Sequence, residues 1–236
     1  MTLYWDEPYR RDICTVITQV ETATDGIKIT CNQTVFYPHG GGQPGDTGQL
    51  IINGHTFKII NTTREREHNI IWHHLQGDVA PAVGDMASLI LDWQRRHQLM
   101  RTHTAMHLLC AAVNAPVTGS NISGPLRGRI DFDNDGTTDK MALEEKINNW
   151  VHADVPVTTR WVDEKELDDN PSLVRTLSVS PPRGSGTIRL VEIAGIDLQA
   201  CGGTHVARTE EIGTARVIKI ENKGRINHRV IVELTD

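Results

Sequence analysis

Two histidines one helical turn apart, His103 and His107, are answered far downstream by a Cys-Gly-Gly-Thr-His run that carries Cys201 and His205. Four nitrogen and sulfur donors, supplied in pairs by two distant segments, match in type and spacing the ligands that close a tetrahedral zinc site. A chain that uses all four must fold so that the two segments meet. The stretch from Arg101 to Leu109 reads as helix, so imidazoles at i and i+4 share one face and can bite one ion. Gly202 and Gly203 permit a tight turn that folds Cys201 and His205 back onto one point. A lone His-x3-His pair is common on helices and carries little; joined to Cys-Gly-Gly-Thr-His it points to a metal. Cys110, two turns beyond His103, is a rival thiol, although a small buried apolar role suits it as well.

Four protein ligands make a closed, structural zinc site, and three plus water make a catalytic one. The sequence leaves both open. Zinc-bound water ionises near neutral pH and becomes a nucleophile, or the ion can hold a substrate donor. The zincin metalloprotease signature has Glu directly after the first helical histidine. Here that position is Thr104, so the general base of that mechanism is missing and peptide hydrolysis by it is disfavoured.

The run Phe36-Tyr-Pro-His-Gly-Gly-Gly-Gln-Pro-Gly-Asp-Thr-Gly48 is the second unusual feature. With Gly40, Gly41, Gly42, Gly45 and Gly48 beside Pro44 it cannot be regular structure. Such a loop exposes backbone N–H groups and admits a phosphate, ribose or peptide-like group closely. A wide hairpin loop without a ligand is the plain alternative; Gln43 and His39 favour the functional one. The Gly-Gly-Gln triplet also occurs in peptide-release factors.

At 236 residues the chain has room for one or two domains. Its 38% hydrophobic and 23% charged content is that of a globular protein. No apolar run approaches a membrane span, and no basic region leads into an apolar stretch at the start, so no secretory signal is expected. The four cysteines, Cys14, Cys31, Cys110 and Cys201, lie too far apart for a disulfide framework, which points to a reducing cytoplasm. A net charge of −6 argues against a broadly basic nucleic-acid coat. Basic residues fall in small groups: Arg64 and Arg66; Arg95, Arg96 and Arg101; Arg127 and Arg129; Lys219, Lys223, Arg225 and Arg229. Solvated surface is the default for each, and the group bordering the histidine helix is the candidate phosphate-facing stripe.

Residues 12–91 read as β. Strands are predicted at Ile13–Val20, Ile27–Cys31, Thr47–Ile52, Thr56–Asn61, Asn69–Leu75 and Met86–Leu91, with turns at Asp25-Gly26 and Asn53-Gly54. Short strands at this spacing suggest a small barrel or sandwich. The character changes near residue 92, where Asp92 can cap a helix from Trp93 to Val113. Residues 114–128 read as loop, Arg129–Phe132 as a strand followed by a polar turn, and Met141–Ala153 as an amphipathic helix. Further strands are expected at Val155–Val162, Thr187–Ile193, Thr214–Glu221 and His228–Leu234, with an exposed loop at Ser178–Gly186. The whole is α+β, divided into 1–91 and 92–236.

With the His-Thr-Ala-Met-His helix, the Cys-Gly-Gly-Thr-His turn and the Gly-Gly-Gly-Gln-Pro-Gly-Asp loop together, the chain resembles the AlaX family, freestanding alanyl-tRNA editing proteins similar to the editing domain of alanyl-tRNA synthetase. Glu211–Arg216 and Arg129–Phe132 also look like the family, and the length suggests its medium-sized type. The resemblance implies a translation-factor-like β-barrel at 1–91, bearing the glycine loop, joined to a zinc-binding α+β editing domain at 92–236. It implies hydrolysis of the ester that links a wrong amino acid, chiefly serine and also glycine, to tRNA(Ala). It maps the zinc ligands onto His103, His107, Cys201 and His205, and the loop glutamine onto Gln43. Mischarged tRNA(Ala) is the implied partner, with no membrane and no required protein partner. Where the synthetase version has Glu-Leu before Cys-Gly-Gly-Thr-His, this chain reads Asp197-Leu-Gln-Ala200, a departure expected on the tRNA-contacting surface.

An aminoacyl ester is activated, so a positioned water, a metal and hydrogen bonds to the developing oxyanion suffice. Telling serine from alanine needs a group that bonds the extra hydroxyl and is left unpaired by the correct substrate. Thr104, Thr204 and Gln43 are the candidates. Two rivals stand beside this reading: a non-catalytic zinc-stabilised tRNA-binding module, and a metal-dependent hydrolase of small esters or amides.

Overall fold

The computed structural model describes residues 3–23, 26–65, 67–134, 139–174, 186–222 and 227–235. Asp25, Arg66, Lys223 and Arg225, residues 135–138 of the polar turn after Phe132 and most of Ser178–Gly186 lie outside the described residues. The chain forms two compact units, Met1–His97 and Gln98–Asp236.

The first unit opens with a short helix, α1 (Leu3–Asp6), and continues with six strands: β1 (Asp12–Ala23), β2 (Gly26–Cys31), β3 (Gly48–Ile52), β4 (His55–Glu65), β5 (Ile70–Gln76) and β6 (Met86–Leu91). All pairings are antiparallel, and the strands close into a barrel in the order β1-β2-β5-β4-β3-β6. Closure removes every free strand edge. The interior is filled by alternate residues such as Ile13, Ile17, Ile27, Ile29, Leu50, Ile59 and Leu89, each worth about 1.5–3 kcal/mol when fully buried. Asn53 (φ 50°) and Gly54 (φ 81°) make the tight β3–β4 turn, as the Asn-Gly pair predicts.

The glycine run connects β2 to β3. Gly41 (φ 57°) and Gly42 (φ 78°) form a left-handed two-residue turn, closed by Gly40 N–H to Gln43 O at 3.1 Å and Gln43 N–H to Gly40 O at 3.0 Å. Gly45 and Gly48 are required by close approach: a Cβ there would stand 2.0 Å from Thr62 O and 2.2 Å from Ile90 O. Beneath the loop lies a buried ion pair. Arg96 donates from Nε and Nη2 to the Asp46 carboxylate and from Nη2 to Val35 O at 2.8 Å. Arg96 and Asp46 are 0% and 1% exposed.

A long helix, α2 (Trp93–Val113), begins in the first unit and continues into the second. Asp92 caps it, accepting the Arg95 N–H at 3.2 Å. The second unit adds β7 (Val117–Gly124), β8 (Arg127–Asp133), α3 (Lys140–His152), β9 (Val157–Asp163), α4 (Glu164–Asp169), β10 (Thr187–Ile193), β11 (Asp197–Ala200), β12 (Thr214–Asn222) and β13 (Asn227–Thr235). They form a three-stranded sheet, β11-β10-β9, and a four-stranded one, β12-β13-β8-β7. The α+β class is therefore observed.

Residues 114–128 are not all loop: β7 occupies Val117–Gly124. It is an edge strand with irregular register at Val117/Gly119 and Ile122/Gly124, the setting in which a sheet tolerates glycine. At the opposite edge, α3 covers β12 with side chains. The Asn148 amide exchanges two hydrogen bonds with Ala215 (2.8 and 2.9 Å), and Glu144 accepts the Val217 N–H. This protects an edge that would otherwise present free backbone groups.

Candidate metal centre

Every residue of α2 from Leu99 to Cys110 is buried. The stretch includes Arg101, Thr102, His103, Thr104 and His107, and buried polar groups are costly unless bonded. Three of them meet structural demands. Arg101 donates to Ile212 O at 3.0 Å and Thr235 O at 3.3 Å, Thr102 donates to Pro125 O at 2.7 Å, and Thr104 donates to Met100 O at 3.0 Å. With Arg96 buried in its ion pair and Arg101 on two carbonyls, the basic group along this helix is not a phosphate-facing surface stripe. A guanidinium reads in sequence as exposed, and here two of them serve as interior hydrogen-bond hubs.

His103 and His107 lie on the helix face that meets the Cys-Gly-Gly-Thr-His turn. The ligand atoms of His103, His107, Cys201 and His205 all lie within 4.8 Å of one another. Cys201 Sγ is 3.5 Å from His103 Nε2 and 3.4 Å from His205 Nε2. Zinc bonds of about 2.0–2.1 Å to nitrogen and 2.3 Å to sulfur, at tetrahedral angles, set that edge at about 3.6 Å. The donor set therefore fits zinc in chemistry and in spacing. Among the described residues this is the one such cluster. Cys110 is not part of it.

The turn is built without the left-handed backbone that its glycines would allow, since neither Gly202 nor Gly203 has a positive φ. Arg189 on β10, 6% exposed, staples it by donating from Nη1 to Cys201 O and Gly203 O, both at 2.9 Å. Gly203 N–H points at Cys201 Sγ, 3.4 Å away.

Outer partners hold the histidines. The Nδ1 of His107 is 3.1 Å from Asp197 Oδ2, and Gln199 Nε2 donates to the same oxygen at 2.7 Å. The Nδ1 of His205 is 3.1 Å from Thr104 Oγ1, which also accepts the Val206 N–H at 3.3 Å. Asp197 and Gln199 are 5% and 6% exposed, on the buried face of β11. The departure at Asp197–Ala200 thus lies against the donor cluster and not on an exposed surface. Sequence reading missed Asp197, Gln199 and Arg189; a period-two pair of polar residues entering the Cys-Gly-Gly-Thr-His turn was the available signal for the first two.

Burial pushes the Cys201 thiol up, but the charges of His103, His205 and His107 outweigh it and hold the group well below the usual thiol range. Burial pulls His107 down, yet the Cys201 thiolate and the Asp197 bond carry it up to about 9. For His205, burial together with His107 outweighs the thiolate and brings the ring down to about 3. Metal binding at such a cluster requires a thiolate and unprotonated ligand nitrogens, so it releases protons.

Thr204 is 1% exposed within the turn. Gln43 belongs to the first unit, 0% exposed at the end of the glycine turn, while His39 at its start is exposed.

Known proteins bear on this arrangement. A family described as threonyl and alanyl tRNA synthetase second additional domain matches residues 188–231, which carry Cys201 and His205. One described as tRNA synthetases class II (A) matches residues 12–95. The alanyl-tRNA editing protein AlaX-M of Methanosarcina barkeri is 36% identical over 228 residues, covering 92% of this chain and 93% of that protein. The AlaX-M protein of Methanosarcina acetivorans is 34% identical, covering 99% and 98%. The alanine–tRNA ligase of Halorubrum lacusprofundi is 33% identical over 93% of this chain but only 24% of the ligase. Likeness over nearly the full length of both partners, joined to the four converging donors, shows that this chain belongs to the AlaX family of alanyl-tRNA editing proteins.

Proposed function

We propose that this protein is a trans-editing deacylase that hydrolyses the aminoacyl ester of mischarged tRNA(Ala), chiefly Ser-tRNA(Ala) and also Gly-tRNA(Ala), at a zinc-containing site. The observation that carries the reading is the convergence of His103, His107, Cys201 and His205 in a chain that matches AlaX proteins end to end. These four residues would hold the ion. When bound, zinc supplies Lewis acidity toward an ester carbonyl or a seat for a substrate donor.

Gln43 and Thr204 are proposed to contact the aminoacyl-tRNA. A buried hydrogen-bonding group that serine satisfies and alanine cannot is the physical route to sparing Ala-tRNA(Ala). Thr104 is proposed to serve the site through His205, because its donor and both lone pairs are engaged. The barrel is proposed to be of the translation-factor type. The proposed domains, 1–91 and 92–236, differ from the compact units by the first residues of α2. A reducing cytoplasm suits four free cysteines. No helix among the described residues is long and apolar enough to cross a membrane.

Replacing Cys201 by Ala is expected to abolish deacylation and lower zinc content; retained activity without zinc would refute the metal's role. Replacing Gln43 by Ala is expected to lower the rate with zinc content unchanged. One observation favours a second reading: four protein donors make a closed site, the mark of structural zinc. A non-catalytic zinc-stabilised tRNA-binding module would shift tRNA mobility without releasing an amino acid.

A further inference from the structure

An imidazole binds a metal through one nitrogen, and the proton on the other nitrogen decides which. Two of the four donors therefore need more than proximity. The Nε2 of His205 faces Cys201 Sγ at 3.4 Å, and its Nδ1 faces Thr104 Oγ1 at 3.1 Å. Thr104 donates its only proton to Met100 O at 3.0 Å. Its hydroxyl oxygen can then only accept, so the proton between it and His205 must sit on Nδ1. The Nδ1 of His107 is likewise 3.1 Å from a carboxylate oxygen, Asp197 Oδ2, which Gln199 steadies with a 2.7 Å bond. Gln199 Nε2 also lies 3.1 Å from the same Nδ1, but it is engaged by the carboxylate at the shorter 2.7 Å, and a charged carboxylate, which accepts and does not donate, is the stronger partner for that nitrogen. Both rings are thus held with Nδ1 protonated and Nε2 offered inward.

We propose that Thr104 and Asp197 are positioning residues that lock His205 and His107 in the tautomer presenting Nε2 to the metal, an inference that rests on the zinc reading above. Thr104 occupies the position where the zincin signature has its glutamate. In this chain that position orients a ligand and is not a general base. Asp197 supplies the same control from β11, the strand that leads directly into the Cys201 turn. Loss of such an outer partner typically costs roughly 10–100-fold in metal affinity.

The test compares full-length wild type, Thr104→Val, Thr104→Ser, Asp197→Leu and Asp197→Asn. Zinc affinity is measured by competition with a chromogenic chelator. The cobalt(II) absorption spectrum reports ligand geometry, and metal-free urea midpoints report stability. Thr104→Val and Asp197→Leu are expected to bind zinc roughly 10–100-fold more weakly, with altered cobalt bands. Thr104→Ser, which keeps the acceptor, is expected to restore near wild-type affinity and spectrum. Equal affinity in wild type, Thr104→Val and Asp197→Leu would overturn the proposal. So would a Thr104→Ser variant as impaired as Thr104→Val, which would mark a packing role. Asp197→Asn, which keeps an acceptor oxygen for His107 Nδ1, is expected to stay near wild-type affinity and spectrum; should Asp197→Leu fail to fold, a loss of about tenfold or more in Asp197→Asn overturns tautomer control by Asp197. Wild type that binds no zinc would instead overturn the metal reading on which the proposal rests.

Discussion

Replacing Asp46 by Ala removes the partner of a guanidinium that has no access to water. The Arg96 side chain is 0% exposed and spans the Asp46 carboxylate, Val35 O at 2.8 Å and Pro8 O at 3.3 Å. Asp46 also accepts the Tyr37 N–H. The variant keeps the two carbonyl bonds and loses the countercharge, so a cation is left buried and uncompensated. Breaking a buried pair on one side costs about 3–5 kcal/mol. In a chain of this length, about 2–4 °C of Tm per kcal/mol makes that a fall of roughly 6–20 °C. Arg96→Met is also expected to destabilise, because it strands the carboxylate and two carbonyls. Combining the two variants removes both charges, so the double variant is expected to recover about 2 kcal/mol relative to the sum of the singles. Urea titrations at constant m-value and calorimetric melts provide the cycle. A loss below about 1 kcal/mol for Asp46→Ala, or additivity within about 0.5 kcal/mol, would refute the view that this pair anchors the glycine loop.

Two further perturbations probe the barrel. His73, fully buried between Thr34 Oγ1 (2.9 Å) and Ile29 O (3.4 Å), is pulled by burial from 6.5 to about 4. The unfolded chain then binds the proton more readily. Stability is present above pH 6.5, falls as pH drops toward 4, and loses about 3 kcal/mol across that window; a urea midpoint that does not shift between pH 7 and 4.5 would contradict this. Gly45→Ala and Gly48→Ala, whose Cβ atoms would meet backbone oxygens at 2.0 and 2.2 Å, are expected to unfold or aggregate. Gly40→Ala, whose nearest neighbour would be Tyr37 Oη at 3.7 Å, is expected to melt like wild type. Circular dichroism melts separate the two classes, and a destabilised Gly40→Ala would show that the turn is tighter than its geometry.

The barrel was legible because period-two apolar patterning and an Asn-Gly turn mark its strands locally. The helix Trp93–Val113 was legible from Asp92 and its apolar rows. The segment that became β7 was not: its glycines and Pro125 read as loop, and only the neighbouring strand and a bulged edge make them sheet. The four candidate metal donors were visible because the chemistry that binds an ion restricts residue type and spacing. Their outer partners were not. Asp197 and Gln199 are ordinary polar residues whose roles depend on which face of β11 meets the cluster, and Thr104, a candidate substrate contact in the sequence, instead faces His205. Arg96 and Arg101 misled for the same reason, since a charged residue is exposed by default and only tertiary partners reverse that.

The proposed activity is an editing hydrolysis that depends on the metal. Its most direct test measures release of serine from Ser-tRNA(Ala), with Ala-tRNA(Ala) in parallel and a chelator-treated sample beside each. Fast release of serine, lost on chelation and restored by zinc, with alanine spared, is the predicted result. Protein that demonstrably contains zinc and releases neither amino acid would contradict it, leaving a tRNA-binding module on the same fold.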